Sequence, residues 1–110
     1  MQLIYVIIKQ IDKTDDLMVA LANAGVKGAT ILESTGMAKA LYKLESLQSV
    51  DILKQIMNKE IANASNTILI AVNDDMVDTV RETVKAVLGD LSVPNAGVIF
   101  GVPITFSEGI

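Results

Sequence analysis

The stretch NTILIAVNDDMVDTVRETVKAVLG, residues 66–89, contains a strand, a polar turn and a helix, and the interpretation of the whole chain starts from it. Residues 66–72 form a short apolar run rich in β-branched side chains, as in a buried strand. The polar run at 73–75, Asn-Asp-Asp, is typical of a helix N-cap. Val77, Val80, Val84 and Val87 then recur at the spacing of one buried helical face, and Gly89 ends the predicted helix.

The N-terminal part of the chain repeats this plan. Residues 3–8, LIYVII, predict a first strand, and Thr14 with two following acids predicts an N-cap. One helical face then carries apolar residues until Gly25, a natural stop, and these residues are Leu17, Ala20, Leu21 and Ala24. Residues 29–33 predict a second strand, so the first unit has the order strand, helix, strand.

The C-terminal unit is completed by a fourth strand. A loop that carries Pro94 leads into residues 97–104, which are again apolar and β-branched. Two units of the form strand, capped helix, strand predict an internally duplicated α+β domain with the ferredoxin-like order β-α-β-β-α-β. We expect residues 1–110 to form a single domain, as the length suggests.

The middle of the chain belongs to neither unit. The connection between strands two and three, residues 35–65, is about 30 residues long, and such connections are uncommon unless they are functional or structured. Leu47, Val50, Leu53 and Met57 predict an extra amphipathic helix over residues 46–58. The flanks, 35–46 and 59–65, are expected to be more mobile.

The predicted strands are apolar at nearly every position, which indicates that both faces of the sheet are buried. An antiparallel sheet with one solvated face alternates apolar and polar residues, and strands one, three and four do not. Two helices cover only one face. The second face is covered either by a neighbouring subunit, which we favour, or by the helix predicted in the middle segment.

Composition excludes several classes of function. The chain has 110 residues and contains no cysteine and no histidine, which removes disulfides, thiolate nucleophiles and the usual zinc and copper sites. Its 13 acidic and 9 basic residues give a net charge of −4, which argues against a nucleic-acid partner. Arg81 is the only arginine. The acids Asp74, Asp75 and Asp78 could suggest a metal site, but their place at a helix start favours capping.

No targeting or transmembrane segment is predicted. The apolar N-terminal run is interrupted by Lys9 and followed by several charged residues, unlike a secretory signal. No apolar run approaches the ~20 residues that a membrane span requires. We therefore expect a cytoplasmic protein.

Four short motifs resemble those of the PII-like signalling proteins, the nitrogen regulatory protein P-II superfamily. They are GVKGAT at 25–30, STGM at 34–37, NAGVIF at 95–100 and the tail TFSEGI at 105–110. The resemblance covers nearly the whole chain and marks it as a divergent member with an altered T-loop. It implies a non-enzymatic homotrimer that senses small effectors, often adenine nucleotides, in clefts between subunits. It also implies that residues 35–65 are the T-loop, which contacts a partner protein.

The resemblance also implies candidate binding residues. Thr30 matches the threonine of the family's G-x-x-G-x-T stretch, and Gly36 matches the glycine at the T-loop base. Each kind of candidate also has an ordinary structural explanation, because threonines in strands, glycines in turns and solvated lysines such as Lys39 in loops are all common. The complete set of candidates is Thr30, Thr35, Gly36, Met37, Lys39, Gly89 and Gly97.

Several departures from the family pattern concern the cations that hold phosphates. Lys39 stands where an arginine is usual, and Val98 stands in the position of a phosphate-binding lysine. The tail, residues 103–110, lacks the family's basic pair, and the R-G-x-E-Y motif of the T-loop is absent. A triphosphate needs several cationic donors or backbone N–H groups. ATP held in the usual mode is therefore disfavoured, and a less charged adenosine derivative, or no nucleotide, is easier to accommodate.

Three other interpretations remain open. A structural or adaptor trimer similar to the CutA family would share the architecture without binding a nucleotide. An acylphosphatase would use the glycine-rich turn at 25–28, but those enzymes hold phosphate with an arginine in that loop, whereas Arg81 lies in the second predicted helix. An amino-acid-sensing ACT-type domain has no reason for the long connection between strands two and three.

Overall fold

The computed structural model describes residues 1–42 and 64–110, which form a four-stranded antiparallel sheet with two long helices packed on one face. The strands are β1 (Gln2–Ile8), β2 (Thr30–Ser34), β3 (Ser65–Val72) and β4 (Val98–Pro103). The helices are α1 (Thr14–Asn23), α2 (Met37–Tyr42) and α3 (Val77–Leu88), and short 3-10 turns at Ile11–Lys13 and Asp74–Met76 precede α1 and α3. The predicted α+β, ferredoxin-like fold is confirmed.

The strand order is β2-β3-β1-β4, so β1 and β3 are central while β2 and β4 are the edge strands. One row of the register runs across all four strands through Ile31, Ile68, Val6 and Ile99. Side chains alternate between the two faces of a strand, so this row and every second row face the same way. We call the side that carries the helices the helix face and the other side the open face.

The core lies between the helix face and the helices. The central strands supply Ile4, Val6, Ile8, Ile68 and Ile70, all nearly inaccessible to solvent. The helices supply the opposing side chains, which are Leu17 and Leu21 from α1 and Val80, Val84 and Leu88 from α3. The predicted helical faces are therefore confirmed at their central positions, and Val77 and Val87 pack at the margin of the core.

The helix starts differ from the sequence prediction. Thr14 is the first residue of α1 rather than its N-cap, and its hydroxyl accepts a hydrogen bond from the Asn66 side chain at 3.0 Å. Asn73 precedes the second 3-10 turn and makes no side-chain capping bond. In both cases the turn supplies the backbone contacts, such as Lys13 N–H to the Gln10 carbonyl at 3.0 Å. The predicted side-chain caps at Thr14 and Asn73 are wrong.

The helix ends agree with the prediction. Gly25 follows α1 with φ +98°, and Gly89 follows α3 with φ +83°. Both lie in the left-handed region that favours glycine, which explains why each helix stops at that residue.

The open face is apolar and is left exposed by the described residues. Tyr5 and Phe100 stack at its centre, with ring centroids 4.8 Å apart. Val98, Phe100 and Val102 of β4 retain 44%, 46% and 40% of their accessible surface, and Leu32 of β2 retains 46%. An apolar surface of this kind on one side of a sheet indicates an interaction site.

The connection between β2 and β3 begins with a helix that the sequence analysis did not predict. α2 follows Gly36 directly, and the Ala40 N–H donates to the Gly36 carbonyl at 3.0 Å. This ordered turn lies in a flank that was expected to be mobile. The helix predicted over 46–58 lies outside the described residues.

We predict that Val80→Ala lowers the free energy of unfolding by roughly 1.5–3 kcal/mol, because it removes two buried methyl groups and leaves a cavity. Val80 is 0% exposed. The matched control is Val19→Ala on α1, where the side chain is 62% exposed and the change should stay within about 0.5 kcal/mol. Urea denaturation of both variants tests this, and equal effects would contradict the assigned core.

Candidate functional site

The candidate residues fall at the two ends of the sheet. We call the end at which β1 and β2 finish and β3 and β4 begin the upper end, and the opposite end the lower end. Thr35, Gly36, Met37 and Lys39 follow β2 at the upper end. Thr30 begins β2 at the lower end, about 13 Å from Ser34 along the strand. Within one chain, Thr30 is therefore not brought together with the residues that follow β2.

The other two candidate glycines also lie at the upper end, but on the far side of the sheet. Gly89 ends α3, and Gly97 immediately precedes β4. Because β3 and β1 separate β2 from β4, three strand spacings amount to about 14 Å. At its upper end the chain thus carries two separate groups of candidate residues, one after β2 and one before β4.

A hydroxyl cluster fixes the root of the long connection. Thr67 Oγ1 donates to Ser34 Oγ at 2.9 Å, and Ser65 Oγ donates to the Ser34 carbonyl at 3.0 Å. The Ser34 and Ser65 hydroxyl oxygens are 2.7 Å apart, so the Ser34 hydroxyl has Ser65 as its acceptor. Ser34 and Ser65 are paired in the register, so the segment leaves and rejoins the sheet at one cross-strand pair.

The candidates after β2 are differently exposed. Met37 is 78% exposed at the start of α2, while Lys39 is half-buried in the same helix. The ion pairs found within residues 1–42 and 64–110 join Met1 to Asp74 and Arg81 to Asp78. In that part of the chain, Lys39 therefore forms no ion pair with a carboxylate.

The loop between α3 and β4 is folded into two consecutive turns. The Val93 N–H donates to the Asp90 carbonyl, and the Ala96 N–H donates to the Val93 carbonyl, both at 3.2 Å. Asn95 adopts φ +64° and Gly97 adopts φ +139°, while Ala96 is buried. The loop is therefore held in one shape by backbone bonds and by the burial of a small side chain.

Asp90 organises the first of these turns. Its Oδ1 accepts the Ser92 hydroxyl at 2.7 Å and the Ser92 N–H at 2.9 Å. The hydroxyl bond first, and then the backbone bond, lowers the pKa of the Asp90 carboxyl below its ordinary value of 3.8. In its ionised form, the Asp90 carboxylate thus holds the first turn of the loop in place.

A cleft of about 550 Å³ opens beside this loop. Its described lining comes from the end of β1, from the start of β3 and from the α3–β4 loop, and includes Lys9, Gln10, Ala64, Pro94 and Asn95. Lys9 was not among the candidates from the sequence. The sequence did contain a signal for Lys9, which is a basic residue directly after an apolar strand. It lies at the same end of the sheet as Gly97.

The acid cluster at the start of α3 is not assembled into a metal site. Asp74 pairs with the N-terminal ammonium group at 3.1 Å, and Asp78 pairs with Arg81 at 3.4 Å. No group of three potential ligands that could hold a metal ion occurs within the described ranges.

We predict that Gly97→Ala lowers the free energy of unfolding by about 1–3 kcal/mol. A Cβ at Gly97 would lie 3.0 Å from the Ile7 carbonyl oxygen and 3.2 Å from Leu88 Cδ1, at a φ that other residues rarely adopt. The control is Gly36→Ala, where a Cβ meets nothing within 4 Å and the change should stay within about 1 kcal/mol. Thermal or urea unfolding measures both, and an unaffected Gly97→Ala variant would contradict the loop geometry.

We also predict that Asp90 titrates below pH 3.8, and that Ser92→Ala returns its pKa towards that value, because the hydroxyl bond is lost. A folded-state pKa below the unfolded value adds stability above the unfolded pKa. This contribution is lost as the pH falls from about 4 through the folded pKa. Carboxyl-carbon NMR of Asp90 follows the titration, with Ser107→Ala as a control. A wild-type value at or above 3.8 would refute the proposed turn.

The comparisons with known proteins give one family. A sequence model described as "Nitrogen regulatory protein P-II" matches residues 1–110, the whole chain. No curated protein matches the sequence. In the described part of the chain, no helix has the length and apolar character needed to cross a membrane.

Proposed function

The chain belongs to the nitrogen regulatory protein P-II family, and from this premise we propose that it is a trimeric sensor of a small cytoplasmic effector. As a family member it is a PII-like regulatory signalling protein. We propose further that residues 1–110 act as one domain without catalytic activity of their own. The effector binds in clefts between subunits, and residues 35–65 act as the T-loop that contacts a partner protein.

The uncovered open face is the observation that carries this proposal. The helices bury one side of the sheet, while Phe100, Val98 and Leu32 on the other side remain 40–50% exposed. Burial of apolar area stabilises an assembly by roughly 25 cal/mol per Å². A trimer in which three open faces meet would remove this surface from water. In one chain alone, the described residues leave it exposed.

The separation of the candidate residues supports a site shared between subunits. Lys39 and Gly36 lie beside β2, whereas Gly97 lies beside β4 on the opposite edge. A neighbouring copy that brings its β4 next to β2 would unite the two groups, and would also bring the tail that follows β4 towards Thr30. Each cleft would then be assembled from two chains.

The charges near this site favour an effector with few negative charges. Lys39 follows β2 and Lys9 lines the cleft beside the α3–β4 loop, whereas Val98 supplies no cation. A monophosphate such as AMP is matched by one or two ammonium groups and by the N–H groups of a glycine-containing loop. ATP carries more charge than these groups offset.

The hydroxyl cluster and α2 suggest how binding of the effector changes the T-loop, residues 35–65. The Ser34–Ser65–Thr67 hydroxyl cluster joins β2 to β3, and α2 starts at Met37, three residues beyond Ser34. An effector that contacts Lys39 acts on the first turn of the long segment while the sheet stays fixed. The readout is then a change in residues 35–65.

We predict that an adenine compound of low charge, with AMP as the first choice, raises the melting temperature of the assembled protein. A ligand at 100 times its dissociation constant adds about 2.7 kcal/mol to the folded state. The screen contains ATP, ADP, AMP, cyclic AMP, cyclic di-AMP, S-adenosylmethionine and 2-oxoglutarate, each with and without Mg²⁺. Light scattering on the same sample gives the number of chains.

Charge-removing variants then locate the site. Lys39→Ala and Lys9→Ala should each weaken binding by about tenfold or more, since a charge-assisted hydrogen bond contributes roughly 1.5–3 kcal/mol. Arg81→Ala removes one positive charge from an exposed position of α3 that does not line this cleft, and it should leave affinity unchanged. A trimer with no ligand shift would favour the adaptor similar to the CutA family, and a monomer would refute the proposal altogether.

A further inference from the structure

Both ends of the turn that forms one wall of the cleft are attached to a single residue, Asn66. This turn, residues 9–13, leaves the sheet after Ile8 and enters α1 at Thr14. Ile8 is paired with Asn66 in the register of β1 and β3, and the Thr14 hydroxyl accepts the Asn66 amide at 3.0 Å. The backbone position of Asn66 therefore fixes where the turn begins, and its side chain fixes where the turn ends.

This turn supplies most of the described lining of the cleft. Four consecutive residues contribute to it, namely Lys9, Gln10, Ile11 and Asp12. The turn is closed by a backbone hydrogen bond from the Lys13 N–H to the Gln10 carbonyl at 3.0 Å. Because Asn66 holds both ends of so short a segment, the loss of its amide bond changes the shape of the cleft wall.

The bond between Asn66 and Thr14 lies where water does not readily replace it. Thr14 retains 6% of its accessible surface, and Asn66 is half-buried. A buried hydroxyl that loses its partner costs more free energy than the bond itself contributes. The contact therefore favours this one geometry of the turn over geometries in which Thr14 moves away from β3.

The two chain neighbours of Asn66 hold the root of the long connection. Side chains alternate along a strand, so Ser65 and Thr67 lie on the open face while Asn66 lies on the helix face. On the open face, Thr67 Oγ1 donates to the Ser34 hydroxyl at 2.9 Å, and Ser65 Oγ donates to the Ser34 carbonyl at 3.0 Å. Three consecutive residues of β3 thus support the cleft wall on one face and the root on the other.

We propose that Asn66 is a positioning residue that couples occupancy of the cleft to the root of the long connection. The cleft wall is complete only while the bond between Asn66 and Thr14 is made, so an effector in the cleft stabilises this bond. It thereby also stabilises the start of β3, where Ser65 and Thr67 hold Ser34. By linkage, a firmly held root favours binding of the effector to the same extent.

This inference rests on the proposed effector site and deepens it, because it names the residue that shapes the cleft. Asn66 need not touch the effector itself. Its role is to keep the turn at residues 9–13 in the geometry that presents Lys9, and a well-shaped wall at the start raises affinity because less order is lost on binding.

Thr14→Val tests this role, because valine has nearly the shape of threonine but lacks the hydroxyl. In the protein without ligand, the Lys13 amide should exchange its hydrogen about fivefold faster or more, since its bond to Gln10 belongs to the released turn. The affinity for AMP should fall by a similar factor. Thr14→Ser keeps the hydroxyl and should retain nearly wild-type exchange and affinity.

The matched control is Thr83→Val on α3. The Thr83 hydroxyl donates to the Thr79 carbonyl at 2.7 Å, so this change also removes a hydroxyl bond from a half-buried threonine, outside the described lining of the cleft. It should leave the exchange of the Lys13 amide and the affinity for AMP unchanged, even where the protein becomes less stable.

The coupling is measured at the amides of Ser65 and Thr67. Saturating AMP should slow their hydrogen exchange in the wild type more than it slows that of the Val84 amide in α3, which reports general stabilisation. In Thr14→Val, at equal saturation, this additional slowing should be lost. Slowing of the same size in both proteins would overturn the coupling.

The remaining outcomes separate this inference from the proposed function. A wild-type protein that binds no compound of the screen would overturn the effector site and the coupling together. A wild type that binds AMP, with unchanged affinity and Lys13 exchange in Thr14→Val or with equal losses in Thr83→Val, would overturn the role of Asn66 alone. Circular dichroism confirms folding, and Asn66→Ala removes the same bond where Thr14→Val does not fold.

Discussion

The structure depends on one constraint, which is that the sheet has two apolar faces and only one layer of helices. The buried row of β1 and β3 forms the core with α1 and α3, while Tyr5 and Phe100 stack on the side that no described element covers. Apolar surface of this size is seldom left to solvent. This exposed face is the reason for proposing that neighbouring subunits cover it.

The strand order determines where a binding site can form. β2 and β4 are separated by two central strands, so the long segment after β2 and the folded loop before β4 lie on opposite sides of one chain. A ligand that needs both groups requires two chains. In the proposed trimer this would link sensing to assembly, since a cleft at a subunit contact exists only in the oligomer.

Local patterns in the sequence were sufficient to predict the fold. Apolar runs predicted the strands, the spacing of valines predicted α3, and glycines predicted where both helices end. These features depend on neighbours along the chain. The cap at Thr14 was mispredicted since its hydroxyl bonds to Asn66, a residue distant in sequence, and at both helix starts a 3-10 turn supplies the backbone contacts instead. Lys9 was missed for the same reason. Its position beside Asn95 follows from the β1–β4 pairing, which no local pattern contains.

Two parts of the upper end of the sheet are held by hydrogen bonds, and the proposed sensor would be built on both. The α3–β4 loop is fixed by two turns, by the Asp90–Ser92 bonds and by Gly97. The hydroxyl cluster holds the root of the long segment equally firmly. A ligand between these supports gains little by deforming them. In the proposed sensor, a ligand bound here would therefore act on the start of α2, which carries Lys39, while the sheet stays in place.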